Sequence, residues 1–237
     1  MKLLIFSDLD GTFLNHETYT YGCLKSYIEE FNFEFELIFV SSKTYEEIVK
    51  IKKRLDINFP FIVENGACIF FPLDYFGNKK TNYDLTRYKN HLSLKISKFD
   101  SSTIVKTLGG LKRKYNFKFF SDLSEEEITE YTSLKKKDAK LSKLRSFSNP
   151  ILWRDSSKSK KKFIDDIKII NTNLSIFEGG RFLHVLDNYD KGIALSVFLK
   201  IKKIFDSEYK VIGLGDSQND IPMLEQTNFA CIIKSKA

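Results

Sequence analysis

No apolar run in the chain reaches the roughly eighteen residues that a membrane-spanning helix requires. Leu3-Leu4-Ile5-Phe6 is short and soon broken by Asp8 and Asp10, so the start does not read as a signal peptide. Cysteine is scarce. Cys23, Cys68 and Cys231 lie far apart and form no CxxC pair, which argues against a structural zinc site or a disulfide framework and for reduced thiols in a cytoplasmic protein. Internal repeats and low-complexity segments are absent too. What is present is bulk: 237 residues, 42% of them hydrophobic, with 22 Phe in the chain. That is enough for one large domain or two small ones with cores of large side chains.

The net charge of +7 does not point to nucleic acid. The lysines gather in Lys135-Lys136-Lys137 and in Lys158 and Lys160-Lys161-Lys162, beside or within helical patterns with few aromatics between them. Such runs are solvated helix faces. A mild positive field suits a small anionic substrate, with no nucleic-acid and no membrane partner expected, the chain acting as a monomer or homodimer.

Apolar periodicity gives an ordered reading of the chain. Leu3 to Phe6 is a short buried strand, Tyr19 to Phe31 a helix, and Phe35 to Val40 a second strand ending in Ser41-Ser42-Lys43. Thr44 and Glu47 form a capping box for a helix that reaches about Leu55, and Phe61-Ile62-Val63 is a third strand running into the turn Glu64-Asn65-Gly66. This β-α-β-α-β pattern predicts an α/β fold with a doubly wound parallel sheet. Between residues 80 and 186 strands and helices mix: helices are expected over Ser102 to Tyr115, after Ser124, over Leu134 to Leu144 and over Lys160 to Ile170, with a hairpin of Leu174 to Phe177 and Phe182 to Leu186. Those residues predict an inserted α+β domain. From Lys191 the alternation returns, with a helix to Ile204, a strand over Lys210 to Leu214, a short helix over Asp220 to Gln226 and a last strand over Phe229 to Ile233. The core is therefore assigned to residues 1–79 and 187–237.

Two acidic stretches carry the chemistry. Ser7-Asp8-Leu9-Asp10-Gly11-Thr12 follows the first strand. Two carboxylates two positions apart disfavour joint ionisation unless a cation or proton lies between them, and the carboxyl ends of strands are where open α/β sheets bind ligands. An Asp carboxylate can also attack phosphorus. The alternative is an Asx-rich turn at Asp10-Gly11. Gly213-Leu214-Gly215-Asp216-Ser217-Gln218-Asn219-Asp220 follows the penultimate strand, so in a parallel sheet its acids face the same edge. Asp8, the main-chain carbonyl of Asp10, and Asp216 would suit Mg²⁺, which takes oxygen ligands and keeps several waters. Asp220 either ligates that cation or caps the following helix. Ser41 stands where a strand meets a helix and could hold phosphate oxygens. Lys191, in Asp190-Lys191-Gly192, would be a compact positive charge beside them.

Asp8-Leu9-Asp10-Gly11-Thr12, the Ser41 strand end, Asp190-Lys191-Gly192 and Gly215-Asp216-Ser217-Gln218-Asn219-Asp220 together resemble the haloacid dehalogenase superfamily of phosphatases. The long insert is similar to the C2-type cap of Cof-type, sucrose-phosphate and trehalose-phosphate phosphatases. Val40-Ser41-Ser42-Lys43-Thr44, Phe61-Ile62-Val63-Glu64-Asn65-Gly66, Ile151-Leu152-Trp153-Arg154-Asp155, Gly179-Gly180-Arg181-Phe182-Leu183-His184 and Gly213-Leu214-Gly215-Asp216 resemble the mannosyl-3-phosphoglycerate phosphatase family in the same order. Members of that family often continue beyond the point matching Ala237, so the last edge of the core is expected to be shorter or incomplete.

The resemblance implies a Mg²⁺-dependent phosphomonoester hydrolase acting on a glycosyl 3-phosphoglycerate, mannosyl or glucosyl. Asp8 would be the nucleophile and Asp10 the acid and base, with Ser41 and Lys191 on the phosphoryl group. Asp8, Asp10, Asp216 and Asp220 would form the metal site. Lys43, Glu64, Asn65, Gly66, Gly180, Arg181, His184 and Asn219 would bind substrate. Arg181, a planar fork matched to carboxylates, is the first candidate for the glycerate carboxylate, ahead of His184 and Lys43. The alternatives are another sugar phosphatase of the same cap class or a phosphomannomutase-like phosphotransferase.

Overall fold

The apolar residues after Met1 form β1 (Lys2–Ser7), which sits inside a sheet because both its neighbours are also apolar runs: β2 (Phe35–Val40) and β11 (Tyr209–Gly215), each parallel to it. The computed structural model describes residues 2–15, 17–79, 81–205 and 208–234. Its larger sheet has the order β12-β11-β1-β2-β3-β4-β6-β5. β3 (Phe61–Val63) and β12 (Phe229–Ile232) continue the parallel part, whereas β4 (Cys68–Pro72), β6 (His91–Lys95) and β5 (Thr86–Tyr88) are added antiparallel. The helices of this part are α1 (Leu24–Glu30), α2 (Tyr45–Leu55), α7 (Lys191–Phe205) and α8 (Ile221–Leu224).

The parallel-sheet expectation is met, and its core has the composition the sequence suggests. Leu4, Phe6, Ile38, Val40, Ile62 and Phe71 join Leu195, Phe198 and Ile201 of α7 in one buried cluster. Phe198 meets Phe6 edge-on at 5.2 Å and stacks on Phe71 at 5.7 Å. Aromatic pairs of this kind add to the area they bury, by roughly 1 kcal/mol each.

The chain divides into two compact units, one of residues 1–43, 48–96 and 190–237, the other of residues 44–47 and 97–189. The insert therefore does not begin at residue 80. Residues 86–95 form the β5–β6 hairpin, and β6 pairs with β4 from Cys68↔Lys95 to Pro72↔His91, so backbone hydrogen bonding ties the hairpin to the larger sheet. The helix expected over Tyr19 to Phe31 is also shorter. Tyr19 and Gly22 both have φ of 52°, which no α-helix contains, and α1 starts only at Leu24.

The second unit is α+β, as expected: α3 (Ser101–Leu108), β7 (Phe117–Phe119), α4 (Glu125–Thr132), α5 (Lys136–Ser142), β8 (Ile151–Trp153), α6 (Ser157–Ile170), β9 (Ser175–Gly179) and β10 (Phe182–Leu186), with the sheet order β7-β8-β10-β9. Alternation along the strands sends Phe117, Phe119, Ile151, Leu183 and Val185 to one face, against Ile104 and Leu108 of α3 and Phe163 and Ile167 of α6. Leu152 and Phe182 point the other way, under Ile128 of α4 and Ala139 of α5. The Ser124 capping box is present, with Ser124 Oγ accepting from Glu127 N–H and Glu127 from Ser124 N–H. Residues Gly109–Arg113 tighten into a 3₁₀ turn, so the expected 102–115 helix ends early at its glycine pair.

Within this unit Asp187 is 4% exposed and ties residues 97–99 to the end of β10. Its carboxylate lies 2.7 Å from Ser97 Oγ and accepts from the N–H of Phe99 at 2.9 Å and from the N–H of Lys98. Asp187→Ala would orphan both N–H groups, and each buried unpaired donor costs about 1–3 kcal/mol. Denaturant unfolding is expected to show a loss of about 2–4 kcal/mol; a loss under about 0.5 kcal/mol would show these bonds to be energetically idle. Among the described residues no helix is long and apolar enough to cross a membrane.

Candidate active site

Register brings the acids together. Ser7 lies opposite Leu214 on one side and Phe39 on the other, so the residues that follow these three strands leave the sheet at one edge. They are Asp8, Ser41 and Asp216. The N–H of Asp8 still donates to Leu214 O at 3.0 Å, which keeps its side chain at the strand end. Lys191 arrives there as the first residue of α7, whose N-terminus Asp190 caps by accepting from Ile193 N–H at 2.7 Å.

Lys191 is only 1% exposed and Asp8 6%. The Lys191 ammonium lies 2.5 Å from Asp8 Oδ1 and 2.6 Å from Asp220 Oδ1. Burial pushes the Asp8 carboxyl up to about 7; Lys191 pulls against that shift, while the carboxylates of Asp220 and Asp10 add to it. For Lys191 burial opposes the charge, but Asp8 and Asp220 outweigh it and hold the ammonium above the usual lysine range.

Oxygens of Asp8, Asp216 and Asp220 lie within 4.8 Å of one another. Asp216 is packed tightly against Gly11, which has a φ of +87° and where a Cβ would lie 2.2 Å from Asp216 Oδ2. Only glycine meets both conditions. Thr12 Oγ1 adds a donor 3.4 Å from Asp216 Oδ1. Asp220 is differently placed. Its Oδ2 accepts from Asp216 N–H at 3.1 Å, Ser217 N–H at 3.0 Å and Ser217 Oγ at 2.9 Å, while its Oδ1 faces Lys191. Both oxygens are therefore engaged in closing the turn and holding the lysine.

Asp10 has one oxygen held and one not. Oδ2 lies 2.8 Å from the Lys43 ammonium, which sits 5.1 Å from the centre of the Tyr19 ring. Oδ1 is buried with no hydrogen-bond partner among the described residues. This set of acids is all oxygen, with no cysteine or histidine among it, so it fits a hard cation of the Mg²⁺ type.

The loop after β3 supports the same edge. Glu64, Asn65 and Gly66 all have positive φ, of 48°, 64° and 106°. The N–H of Glu64 donates to Lys43 O at 3.0 Å and that of Asn65 to Ser41 O at 2.9 Å. Ser41 is buried, and its hydroxyl accepts from Lys43 N–H at 3.2 Å. A Cβ on Gly66 would lie 2.2 Å from Asp190 O, so this glycine lets the loop approach the start of α7. Asn219 Nδ2 donates to Asn65 Oδ1 at 3.1 Å, and Asn65 Nδ2 is buried with no partner among the described residues.

Gly180, Arg181 and His184 belong to the other unit. Gly180, with φ of 58°, turns β9 into β10. The Arg181 guanidinium donates to the carbonyls of Glu130, at 3.4 Å, and Tyr131 near the end of α4. A cation there meets the negative end of the helix. His184 stacks on Phe177 with ring centres 4.9 Å apart and planes 8° off parallel. Two features escaped the sequence: the pairing of Lys43 with Asp10, and Tyr19 beside that ammonium. Lys43 stands two residues past Ser41 and was a visible site candidate, but a tyrosine with positive φ leaves no signal.

A sequence-family profile described as haloacid dehalogenase-like hydrolase matches residues 5–236. A protein of Persephonella marina, glucosyl-3-phosphoglycerate/mannosyl-3-phosphoglycerate phosphatase, is 36% identical over 239 aligned residues, covering 98% of this chain and 84% of its own length. A mannosyl-3-phosphoglycerate phosphatase of Pyrococcus furiosus is 33% identical, covering 98% of this chain and 91% of its own. Among solved structures, a Thermotoga maritima protein shares the fold with a TM-score of 0.66 and 18% identity, over 97% of this chain and 85% of that one.

Proposed function

The chain belongs to the haloacid dehalogenase-like hydrolases, in the family of the mannosyl-3-phosphoglycerate phosphatases, and we propose that it is a phosphomonoester hydrolase that cleaves mannosyl- or glucosyl-3-phosphoglycerate through an aspartyl-phosphate and releases the glycosylglycerate. The observation that carries this is the buried Asp8 carboxylate held against Lys191 at the acidic edge of the sheet.

In the first half-reaction Asp8 attacks phosphorus in line. An Asp8–phosphorus bond forms, the bond to the glycerate oxygen breaks, and Asp10 gives that oxygen its proton. In the second, Asp10 takes a proton from the water that attacks the aspartyl-phosphate, and Asp8 leaves as a carboxylate. Lys191 and Ser41 hold phosphoryl oxygens, and Asp220 keeps the Lys191 ammonium in place. Mg²⁺, held by Asp8, Asp216 and the main-chain carbonyl of Asp10, would neutralise charge between the attacking carboxylate and the phosphoryl oxygens. We assign the choice of substrate to the unit of residues 97–189, as a cap, with Arg181 and His184 as its reading residues.

The test is phosphate release from mannosyl- and glucosyl-3-phosphoglycerate, sucrose 6-phosphate and trehalose 6-phosphate, each with Mg²⁺ and with a chelator. The glycosyl phosphoglycerates should be favoured in kcat/KM by on the order of 100-fold, and the chelator should abolish release. Equal or better hydrolysis of the two disaccharide phosphates would overturn the substrate, and no release from any of the four would overturn the hydrolase.

A further inference from the structure

Asp10 has to present a proton in one half-reaction and collect one in the next, and a carboxyl group on two rotatable bonds does so well only if its orientation is fixed. The structure holds it asymmetrically. Lys43 Nζ is 2.8 Å from Asp10 Oδ2, its side chain 8% exposed, while Oδ1 is buried without a partner among the described residues. The Lys43 main chain is itself fixed on two sides, its carbonyl accepting from Glu64 N–H at 3.0 Å and its N–H donating to Ser41 Oγ at 3.2 Å. Its ammonium lies over the Tyr19 ring, a cation–π contact that limits where it can move.

We propose that Lys43 is the positioning residue of the acid–base group: it clamps Asp10 Oδ2, so that Asp10 Oδ1 alone carries the transferred proton. This rests on the phosphatase reading above. In the neutral acid Oδ2 is the carbonyl oxygen that accepts from Lys43, and Oδ1–H points at the leaving oxygen. As the bond between phosphorus and that oxygen breaks, its electron pair stays on oxygen and takes the Oδ1 proton. The charge left on Asp10 is then shared with the ammonium. In the second half-reaction Oδ1 takes the proton back from the attacking water. In this scheme Lys43 touches no reacting atom, and its ammonium serves Asp10 Oδ2 in place of the substrate's carboxylate.

Three monoesters separate the possibilities. p-Nitrophenyl phosphate has a leaving group that departs without a proton, 2-glycerol phosphate has an alcohol leaving group and no carboxylate, and glucosyl-3-phosphoglycerate has both an alcohol leaving group and a carboxylate. In kcat/KM, which reports only the first half-reaction, Lys43→Met should cost about 100-fold on both alcohol esters and less than about 5-fold on the aryl ester. Hydrolysis of the aspartyl-phosphate is common to all three esters, so a fall in kcat shared by them belongs to the second half-reaction. Lys43→Arg, which restores a donor to Oδ2, should recover at least about 10-fold of that loss. Turnover of the aryl ester shows that each variant is folded. An equal loss of kcat/KM on all three esters would overturn the positioning role. So would a loss of kcat/KM confined to glucosyl-3-phosphoglycerate, which would make Lys43 a carboxylate reader. If the unsubstituted protein hydrolyses none of the three, the phosphatase reading falls and takes this role with it.

Discussion

Asp8→Asn is expected to cut phosphate release by on the order of 10⁴-fold or more, while the folded chain becomes more stable. The amide oxygen still accepts from Lys191 but cannot attack phosphorus. The stability gain follows from the surroundings of Asp8, where burial and the carboxylates of Asp220 and Asp10 outweigh Lys191 and raise the carboxyl from 3.8 to about 7. Between those values the folded chain binds the extra proton and the unfolded chain does not, so this group's contribution is present below about pH 4 and is lost as the pH rises to 7. In the presence of a chelator at pH 7.5, Asp8→Asn should therefore unfold later than the parent, by about 1–3 kcal/mol. The difference should shrink as the pH falls towards 4. A variant less stable than the parent at pH 7.5 would show that Asp8 is a net structural asset and not a strained functional group.

Lys191→Met should do the reverse to stability and also damage turnover. The ammonium sits between Asp8 and Asp220, both buried, at 2.5 Å and 2.6 Å. Removing it leaves two buried carboxylates facing one another without a counter-ion, and breaking a buried pair in this way costs about 3–5 kcal/mol. Phosphate release from the folded fraction should fall by on the order of 10³-fold with the loss of one preorganised charge. Adding Asp8→Asn to Lys191→Met should recover part of the stability, because it removes one of the stranded charges. Neighbours that share a partner are not additive. Thermal unfolding of the two single variants and the double variant checks this, and purely additive shifts would mean that Lys191 and Asp8 do not act on one another.

Much of the site was legible because its parts mark themselves in the chain. Asp8 and Asp216 each follow an apolar run, and a parallel register then fixes which edge they share. Ser41 is flagged by the Thr44–Glu47 capping box that follows it, and that box forms, with Thr44 N–H 2.9 Å from Glu47 Oε2. The β5–β6 hairpin was not legible. Thr86-Arg87-Tyr88 is exposed along its whole length and carries no apolar alternation, and its place is set by β6 pairing with the distant β4. Strand pairing across such a separation is decided by tertiary contacts, not by local preference.

Side-chain partnership was the other blind spot. The sequence left Asp220 open between ligand and cap, and only the turn geometry shows both its oxygens engaged. Arg181 is matched to a carboxylate by its shape, but nothing in the sequence shows that its guanidinium also reaches the carbonyls of Glu130 and Tyr131 on a helix far away in the chain. A donor's chemistry can be read from its residue type, but its partner depends on which helix end the fold brings near.

The most direct test is acid quenching of the protein during turnover of glucosyl-3-phosphoglycerate carrying radioactive phosphate, followed by peptide mapping. The expected result is label bound to the peptide that contains Asp8, released by hydroxylamine as an acyl phosphate is, and absent from Asp8→Asn. Turnover with no protein-bound phosphate at any quench time, together with ordinary activity in Asp8→Asn, would contradict the assignment of Asp8 as the nucleophile.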